Sequence, residues 1–147
     1  MKWQLKNFEQ LTTTEMYQLL SLRTAVFVVE QECPYQELDG KDQLAQHLWL
    51  ENESGEILAL CRLLPQGVSF EEASIGRVLV RPNFRRQNLG RALIEKALEV
   101  LKNAGELSVT IEAQYYLRHF YQSFGFGERS EPFDEDGIKH IEMFLRF

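Results

Sequence analysis

The sequence predicts a single mixed α/β domain that spans residues 1–147. Two observations support this prediction. Apolar residues alternate between strand-like and helix-like spacing along the chain, and neither spacing persists, which is typical of a mixed domain. A length of 147 residues with 44% hydrophobic residues also fits one compact core.

The N-terminal part begins with a short strand over residues 3–8 and a helix over residues 12–31. Thr12 and Glu15 stand at capping-box spacing, and apolar residues follow at helical intervals. Residues 32–46 are polar and contain a proline and an Asp-Gly pair, which predicts a loop or a short helix. A connection of this length suggests a functional role.

The rest of the chain alternates strands and helices. In order, the patterns predict a hairpin from residues 47–51 and 56–64, a buried strand over 74–82, an amphipathic helix over 89–105, a strand over 107–114, a helix over 115–126 and a last hairpin that ends in 139–147. Gly105 stands just past the end of the long helix, and DEDG forms the last turn.

Charge and cysteine content limit the possible functions. The net charge is −6, which argues against general nucleic-acid binding. Cys33 and Cys61 lie far apart without CxxC spacing, so we expect reduced thiols, no metal site and a cytoplasmic protein. Because the longest apolar runs are far shorter than a bilayer span, we expect no membrane insertion.

Residues 81–91 gather basic side chains at the predicted junction of a strand and a helix. The first N–H groups of a helix lack internal partners and the helix dipole is positive there, so this junction suits a phosphate. Gly90 permits close approach to the backbone, and Asn88 tolerates a left-handed conformation. The side chains that would add charge are Arg85, Arg86 and Arg91. The alternative interpretation is a solvated helix face.

Two motifs resemble the GNAT superfamily of acetyl-CoA-dependent acyltransferases. Residues 85–90, Arg-Arg-Gln-Asn-Leu-Gly, are similar to its Arg/Gln-x-x-Gly-x-Gly/Ala signature between the fourth strand and third helix, with Asn88 in place of the first glycine. Residues 120–126, FYQSFGF, resemble a second signature in which a tyrosine precedes glycine by four residues. Residues 23–42 and 134–143 are similar to the ElaA-like branch.

The resemblance implies a GNAT fold, in which a central mixed, mostly antiparallel sheet is flanked by helices, and acetyl-CoA as cofactor. It implies that the fourth and fifth strands splay apart, with pantetheine on the edge of the fourth strand and pyrophosphate on the loop. The implied cofactor-binding residues are Val78, Leu79, Val80, Arg85, Arg86, Gln87, Asn88, Leu89, Gly90, Arg91 and Gln114. A helix cap is the alternative role for Gln114.

The implied chemistry is direct attack of an acceptor amine on the thioester. Tyr121 matches the general-acid tyrosine of the family, and a core tyrosine is the alternative. Ser74 stands where some members have a glutamate, so Glu112 and Glu30 are the candidate bases, although either could be a solvated or paired carboxylate. Three histidines could relay a proton, or be structural or surface residues: His47, His119 and His140.

The acidic segment 30–42 carries five carboxylates against Lys41 alone. It predicts a cationic amine acceptor, a small metabolite or a peptide amine, with a solubilising loop as the alternative. A non-catalytic acyl-CoA-binding domain, a protein adaptor and a homodimer stay open. Arg23 followed by VFVVE also resembles acyl-homoserine-lactone synthases, whose longer chain is not evident here.

Overall fold

The structure is a computed structural model that describes all 147 residues, Met1–Phe147. One sheet carries helices on both faces. Its strands are β1 (Lys2–Asn7), β2 (Gln46–Glu51), β3 (Ile57–Leu64), β4 (Ala73–Val80), β5 (Ser108–Gln114), β6 (Gly127–Glu128), β7 (Phe133–Glu135) and β8 (Ile138–Arg146). The α-helices are α1 (Thr13–Thr24), α2 (Leu89–Asn103) and α3 (Arg118–Gln122).

The strand order is β1-β2-β3-β4-β5-β8-β6, with β7 paired to the other end of β8. Every pairing is antiparallel except that of β4 with β5, which confirms the predicted mixed, mostly antiparallel sheet. These two parallel strands pair only at Ala73 with Val109 and at Ser74 with Thr110. Beyond those residues β4 and β5 separate, so a cleft opens in the middle of the sheet.

A β-bulge interrupts β4, where the sequence predicted a continuous strand. Leu79 pairs with Leu60 but Gly76 pairs with Arg62, so two residues of β4 lie opposite one residue of β3. Arg77, in the bulge, has a positive φ of 53°. Bulges bend a strand and change the direction of its side chains, and they are common beside active sites.

The first helix begins as predicted, because Thr12 and Glu15 form a capping box. The predicted α-helix over 12–31 is wrong in its last part, since α1 ends at Thr24 and a π-helical segment follows at Ala25–Glu30. The N–H of Gln31 bonds to the carbonyl of Val26, five residues earlier. The AVFVVE run is rich in β-branched residues, which crowd a regular α-helix. Wide turns of this kind are frequent at functional sites.

The helix after β4 begins at Leu89, as predicted, and Gly105 follows its end with a φ of 89°. The predicted helix over 115–126 is too long. A 3₁₀ turn leads into α3, which has only five residues, and Gly125 then adopts a φ of 103°. Phe126 is therefore turned into the core instead of extending the helix.

Two apolar cores lie on opposite faces of the sheet. On one face, α2 and α3 pack on residues of β5 and β8 such as Ile111 and Met143. On the other face, α1 packs on Trp49, Leu60 and Leu79. The β4–β5 cleft lies between these layers. None of the helices is both long enough and apolar enough to cross a bilayer.

Candidate active site

The edge of β4 presents a free backbone N–H to the cleft, beside a carbonyl that accepts a bond from Arg85. The N–H of Arg81 bonds to the carbonyl of Leu58, which makes Val80 and Ala59 a non-hydrogen-bonded pair. Leu79 therefore uses its backbone groups to bond to β3, whereas the N–H and carbonyl of Val80 point towards the cleft. Val78, beside the bulge, packs partly buried against the α2-side core. The geometry therefore favours Val80 over Leu79 as a backbone N–H donor to the thioester carbonyl.

The loop after β4 forms a turn of left-handed residues at the start of α2. Arg86 has a φ of 68°, and Asn88 has a φ of 60° and a ψ of 21°, as the sequence predicted for the asparagine. The N–H of Ala92 bonds to the carbonyl of Asn88, so the N–H groups of residues 89–91 precede the helical hydrogen-bond series. Leu89 is buried and anchors this helix start.

Gly90 leaves open space above the helix start. A Cβ at this position would lie 3.7 Å from Val80 Cγ2 and 3.9 Å from Phe120 Cζ, which are ordinary contacts. Nothing in the surrounding protein therefore excludes a side chain at Gly90. The open backbone, its unpaired N–H groups and the positive end of the helix dipole together fit a pyrophosphate.

Only one of the three loop arginines is free. Arg85 donates to both carboxylate oxygens of Glu30, at 2.6 and 2.8 Å, and to the Val80 carbonyl at 3.1 Å. Arg91 donates to Ser123 Oγ at 2.7 Å and covers the ring of Phe124, just after α3. Arg86 is exposed and makes no side-chain hydrogen bond or ion pair. The expectation that all three add charge to the anion site is corrected for Arg85, because Glu30 neutralises it, whereas Ser123 is neutral and leaves the charge of Arg91 in place.

Gln114 lies at the mouth of the cleft. Its side-chain amide donates to Gln31 Oε1 at 3.4 Å and so links the end of β5 to the end of the π-helical segment. The alternative role as a helix cap is wrong, since the side chain makes no capping bond to the following turn. Gln87 is exposed at the tip of the α2 loop.

Tyr121 has a buried ring and an accessible hydroxyl. The residue is 6% exposed and packs edge-on against Phe120 and Phe126, with centroid distances of 5.1 and 5.9 Å. Its hydroxyl has no protein partner. Because Arg62 Nε is the only fully buried side-chain polar atom that lacks a partner, the Tyr121 hydroxyl is not fully buried and must reach accessible space. Burial, and then the nearby Cys61, raise the pKa of Tyr121 above its ordinary value, so the phenol keeps its proton.

The two candidate bases have opposite environments. Hydrogen bonds from Arg85 lower the pKa of Glu30, which makes this carboxylate a poor proton acceptor. Glu112 lies on the open face of β5, opposite Glu142. Desolvation, then a hydrogen bond with Glu135 and the charges of Glu135 and Glu142, raise its pKa to about 7. The pKa shifts therefore favour Glu112 as the base. Ser74 is buried.

The three histidines occupy different positions. His47 is buried beside the Asp42 carbonyl, and burial lowers its pKa. His119 is exposed and bonds to Gln122, as expected of a surface residue. His140 lies opposite Gln114 in the β5–β8 pairing, and its Nδ1 donates to the Ile138 carbonyl at 2.7 Å. His47 is therefore structural.

The acidic segment after the first helix is neutralised by arginines that sequence reasoning did not connect with it. Arg23 donates to Glu37 at 2.6 Å and to Asp42 at 2.7 Å, while Arg62 bonds to Asp39 and Asp42. Arg77 completes this buried cluster by bonding to Glu37 and Asp39. The interpretation of these acids as a site for a cationic acceptor loses most of its support, because four of the five carboxylates bond to arginines and only Glu32 is unpaired. Isolated arginines in the sequence gave no signal of this arrangement.

A sheet that splays between β4 and β5, with a free strand edge and a helix N-terminus at the opening, defines the acyl-CoA N-acyltransferase fold. The family model for the acetyltransferase (GNAT) domain matches residues 10–147. The chain belongs to the GNAT superfamily, in its ElaA-like branch.

Known relatives support this assignment over nearly the whole chain. Protein ElaA of Escherichia coli is 40% identical over 144 residues, which cover 97% of this chain and 94% of that protein. Its crystal structure superposes with a TM-score of 0.91 over 99% of this chain and 100% of that chain. An acyl-CoA N-acyltransferase from Pseudomonas aeruginosa is 40% identical, with a TM-score of 0.93 and 98% of each chain covered.

A more distant structure shares the fold alone. It is an aminoglycoside 6'-N-acetyltransferase complexed with coenzyme A, at 12% identity and a TM-score of 0.71, over 97% of this chain and 96% of that chain.

Proposed function

We propose that the protein is an acetyl-CoA-dependent N-acetyltransferase that moves an acetyl group directly to an amine. The observation that carries the proposal is the meeting of two sets of unpaired backbone N–H groups. The N–H of Val80 points into the cleft, and the free N–H groups of residues 89–91 begin beside it, because Gly90 lies against the Val80 side chain. Membership of the GNAT superfamily supports an acyltransferase activity.

The residues around the cleft would hold the cofactor in two places. The N–H groups of residues 89–91 and the free guanidinium of Arg86 would bind the pyrophosphate. The backbone of Val78 and Val80 would bond to the pantetheine amides, as an added strand bonds to a sheet edge. Arg85 is the less available arginine, since Glu30 occupies its guanidinium.

The chain offers three groups for the transfer. Acetyl-CoA supplies an acyl thioester as the donor. The Val80 N–H can donate to a carbonyl oxygen at the strand edge. Tyr121 holds a proton on an accessible hydroxyl and can give it to a sulfur leaving group. Glu112, whose pKa is about 7, can accept the proton of the amine.

The proposed acceptor is an amine of a small metabolite or a peptide. Residues 30–42 no longer support a cationic acceptor, because arginines pair their buried carboxylates. Glu112 and Glu135 have no arginine partner, and these carboxylates are the remaining support for a cationic amine. Cys33 and Cys61 are unpaired thiols, which suits a reducing compartment such as the cytoplasm.

Thiol release from acetyl-CoA in the presence of pooled amines tests the proposal. We expect amine-dependent release by the parent protein and much slower release by Tyr121→Phe, with coenzyme A binding retained in both. The replacement of a strand carboxylate by Ser74 favours a second candidate, a non-catalytic acyl-CoA-binding domain. Binding of coenzyme A without amine-dependent thiol release would support that candidate, and absence of binding would reject both.

A further inference from the structure

The bulge in β4 is attached to the segment that follows the first helix. Arg77 Nε donates to Glu37 Oε2 at 2.9 Å, and Arg77 Nη2 donates to the Glu37 backbone carbonyl at 2.9 Å. The same guanidinium lies 5.7 Å from the centroid of the Tyr35 ring. One side chain thus fixes both the main chain and the carboxylate of Glu37 relative to β4.

Glu37 is itself held in place from other directions. It is 4% exposed, and its Oε2 also accepts a hydrogen bond of 2.6 Å from Arg23, which is 2% exposed. The Tyr35 hydroxyl donates to the second carboxylate oxygen, Oε1. Rotation of the Glu37 side chain would leave buried charges without partners, which is strongly unfavourable. Glu37 therefore links α1 and β4 rigidly.

Arg77 needs such a partner because its backbone conformation is unfavourable for a residue with a side chain. Its φ of 53° lies in the left-handed region. Residues other than glycine are uncommon there, and inside a strand such a conformation needs compensating contacts. The Arg77 side chain supplies such contacts through its two hydrogen bonds to Glu37 and a longer one of 3.3 Å to Asp39.

The bulge decides which backbone groups face the cleft. Without its extra residue, the register from the Gly76–Arg62 pair would place Leu79 opposite Ala59, the position now taken by Val80. A slip of one residue reverses every side chain and every backbone group of a strand. Leu79 would then leave the α1-side core, and the Val80 N–H would turn towards β3.

We propose that Glu37 and Arg77 are positioning residues, which hold the β4 bulge and thereby direct the Val80 backbone into the acyl-CoA cleft. This inference rests on the proposed function, since it assigns a purpose to the strand edge that binds the cofactor. It also gives the acidic segment a role on the cofactor side of the protein, through contact with β4.

Two variants and a control test this role. Arg77→Gly removes the contact with Glu37 but permits the positive φ, and Glu37→Gln keeps the shape of the side chain while removing its charge. Asp42→Asn is the matched control, because Asp42 bonds to Arg23 and Arg62 in the same buried cluster and does not touch Arg77. Each protein is compared for coenzyme A affinity by calorimetry and for amide hydrogen exchange in β4.

We expect Arg77→Gly and Glu37→Gln to bind coenzyme A about three- to tenfold more weakly than the parent protein, a loss equivalent to one hydrogen bond. We also expect faster exchange of the Leu79 N–H in the ligand-free protein, while Asp42→Asn retains parent affinity and parent exchange in β4. A merely structural cluster would instead make all three variants alike.

Parent-like affinity and exchange in Arg77→Gly, or an equal loss in Asp42→Asn, would overturn the inference. If Glu37→Gln does not fold, Arg77→Gly decides the matter, since its side chain is partly exposed. If the parent protein binds no coenzyme A, the proposed function is rejected. The exchange measurement would still test whether Glu37 and Arg77 hold the β4 bulge.

Discussion

Arg85 binds Glu30 through both terminal nitrogens of its guanidinium, with distances of 2.6 and 2.8 Å. The pair joins the cofactor loop to the end of the π-helical segment, on opposite sides of the cleft mouth. The same guanidinium bonds to the Val80 carbonyl at 3.1 Å. Glu30, which the sequence suggested as a base, therefore bonds to Arg85, which it suggested as a phosphate ligand.

Glu30→Gln should strengthen coenzyme A binding by about two- to tenfold, because it removes an acid from the anion site and releases Arg85. The gain should shrink at high salt, since both side chains are well exposed. Calorimetry at two salt concentrations measures it, with Arg85→Ala as the control that removes the same pair from its other side. Loss of the acidic limb of the pH–rate profile in Glu30→Gln would show that Glu30 is the base after all.

Tyr121→Phe should reduce turnover by ~10²–10⁴, the usual scale for one positioned acid. The ring and its edge-on contacts with Phe120 and Phe126 are kept, so the fold and coenzyme A affinity should survive. Steady-state rates together with calorimetry check this. Turnover at the parent rate would mean that the sulfur leaves without help and that Tyr121 serves only the core.

The pH dependence should identify Glu112. As a base with a pKa of about 7 it accepts protons only above that pH, so kcat/KM should rise through about pH 7 and lose this limb in Glu112→Gln. The groups that set the limb are Glu135 and Glu142, which raise the pKa, and Lys41, which lowers it. An unchanged limb in Glu112→Gln would exclude this role.

The same carboxylate has a consequence for stability. Its folded pKa is raised from 4.5, so the folded state binds this proton more tightly than the unfolded chain does. The resulting stabilisation is complete below the unfolded pKa and is lost as pH rises through about 7. Urea unfolding between about pH 5 and pH 8 should therefore show a smaller decline for Glu112→Gln than for the parent. Parallel declines would contradict the shift.

Gly90→Glu should leave the fold intact, because a Cβ at this position meets only ordinary contacts and an acidic side chain is favourable in the first turn of a helix. Coenzyme A binding should nevertheless weaken by about tenfold or more, since the added carboxylate would repel a phosphate at the free N–H groups. Thermal unfolding and calorimetry separate the two effects. Gly127→Glu is the matched control for the added charge, as its Cβ would meet nothing within 4 Å. Parent-like binding by Gly90→Glu would contradict the assignment of the phosphate to this helix start.

Local patterns were enough to predict the elements around the cofactor loop. The start of α2 at Leu89 and the capping box of Thr12 with Glu15 were predicted correctly, and Asn88 adopts the left-handed conformation that an asparagine was expected to tolerate. Each depends on residues within one turn of the feature, through the spacing of apolar side chains or a bond between near neighbours. The two signature motifs belong to this group, which is why the family was evident before the structure.

Contacts between distant parts of the chain decided the rest. Gly76 is a local sign of a bulge, since a glycine inside a strand often marks one. It does not indicate the positive φ of Arg77, whose side chain bonds to Glu37, 40 positions away. The pairing of Arg23 with Glu37, and the difference between Glu30 and Glu112 as bases, likewise depend on which charges the fold brings together. Electrostatic energy depends on distance in space and on burial, and spacing along the chain contains neither quantity.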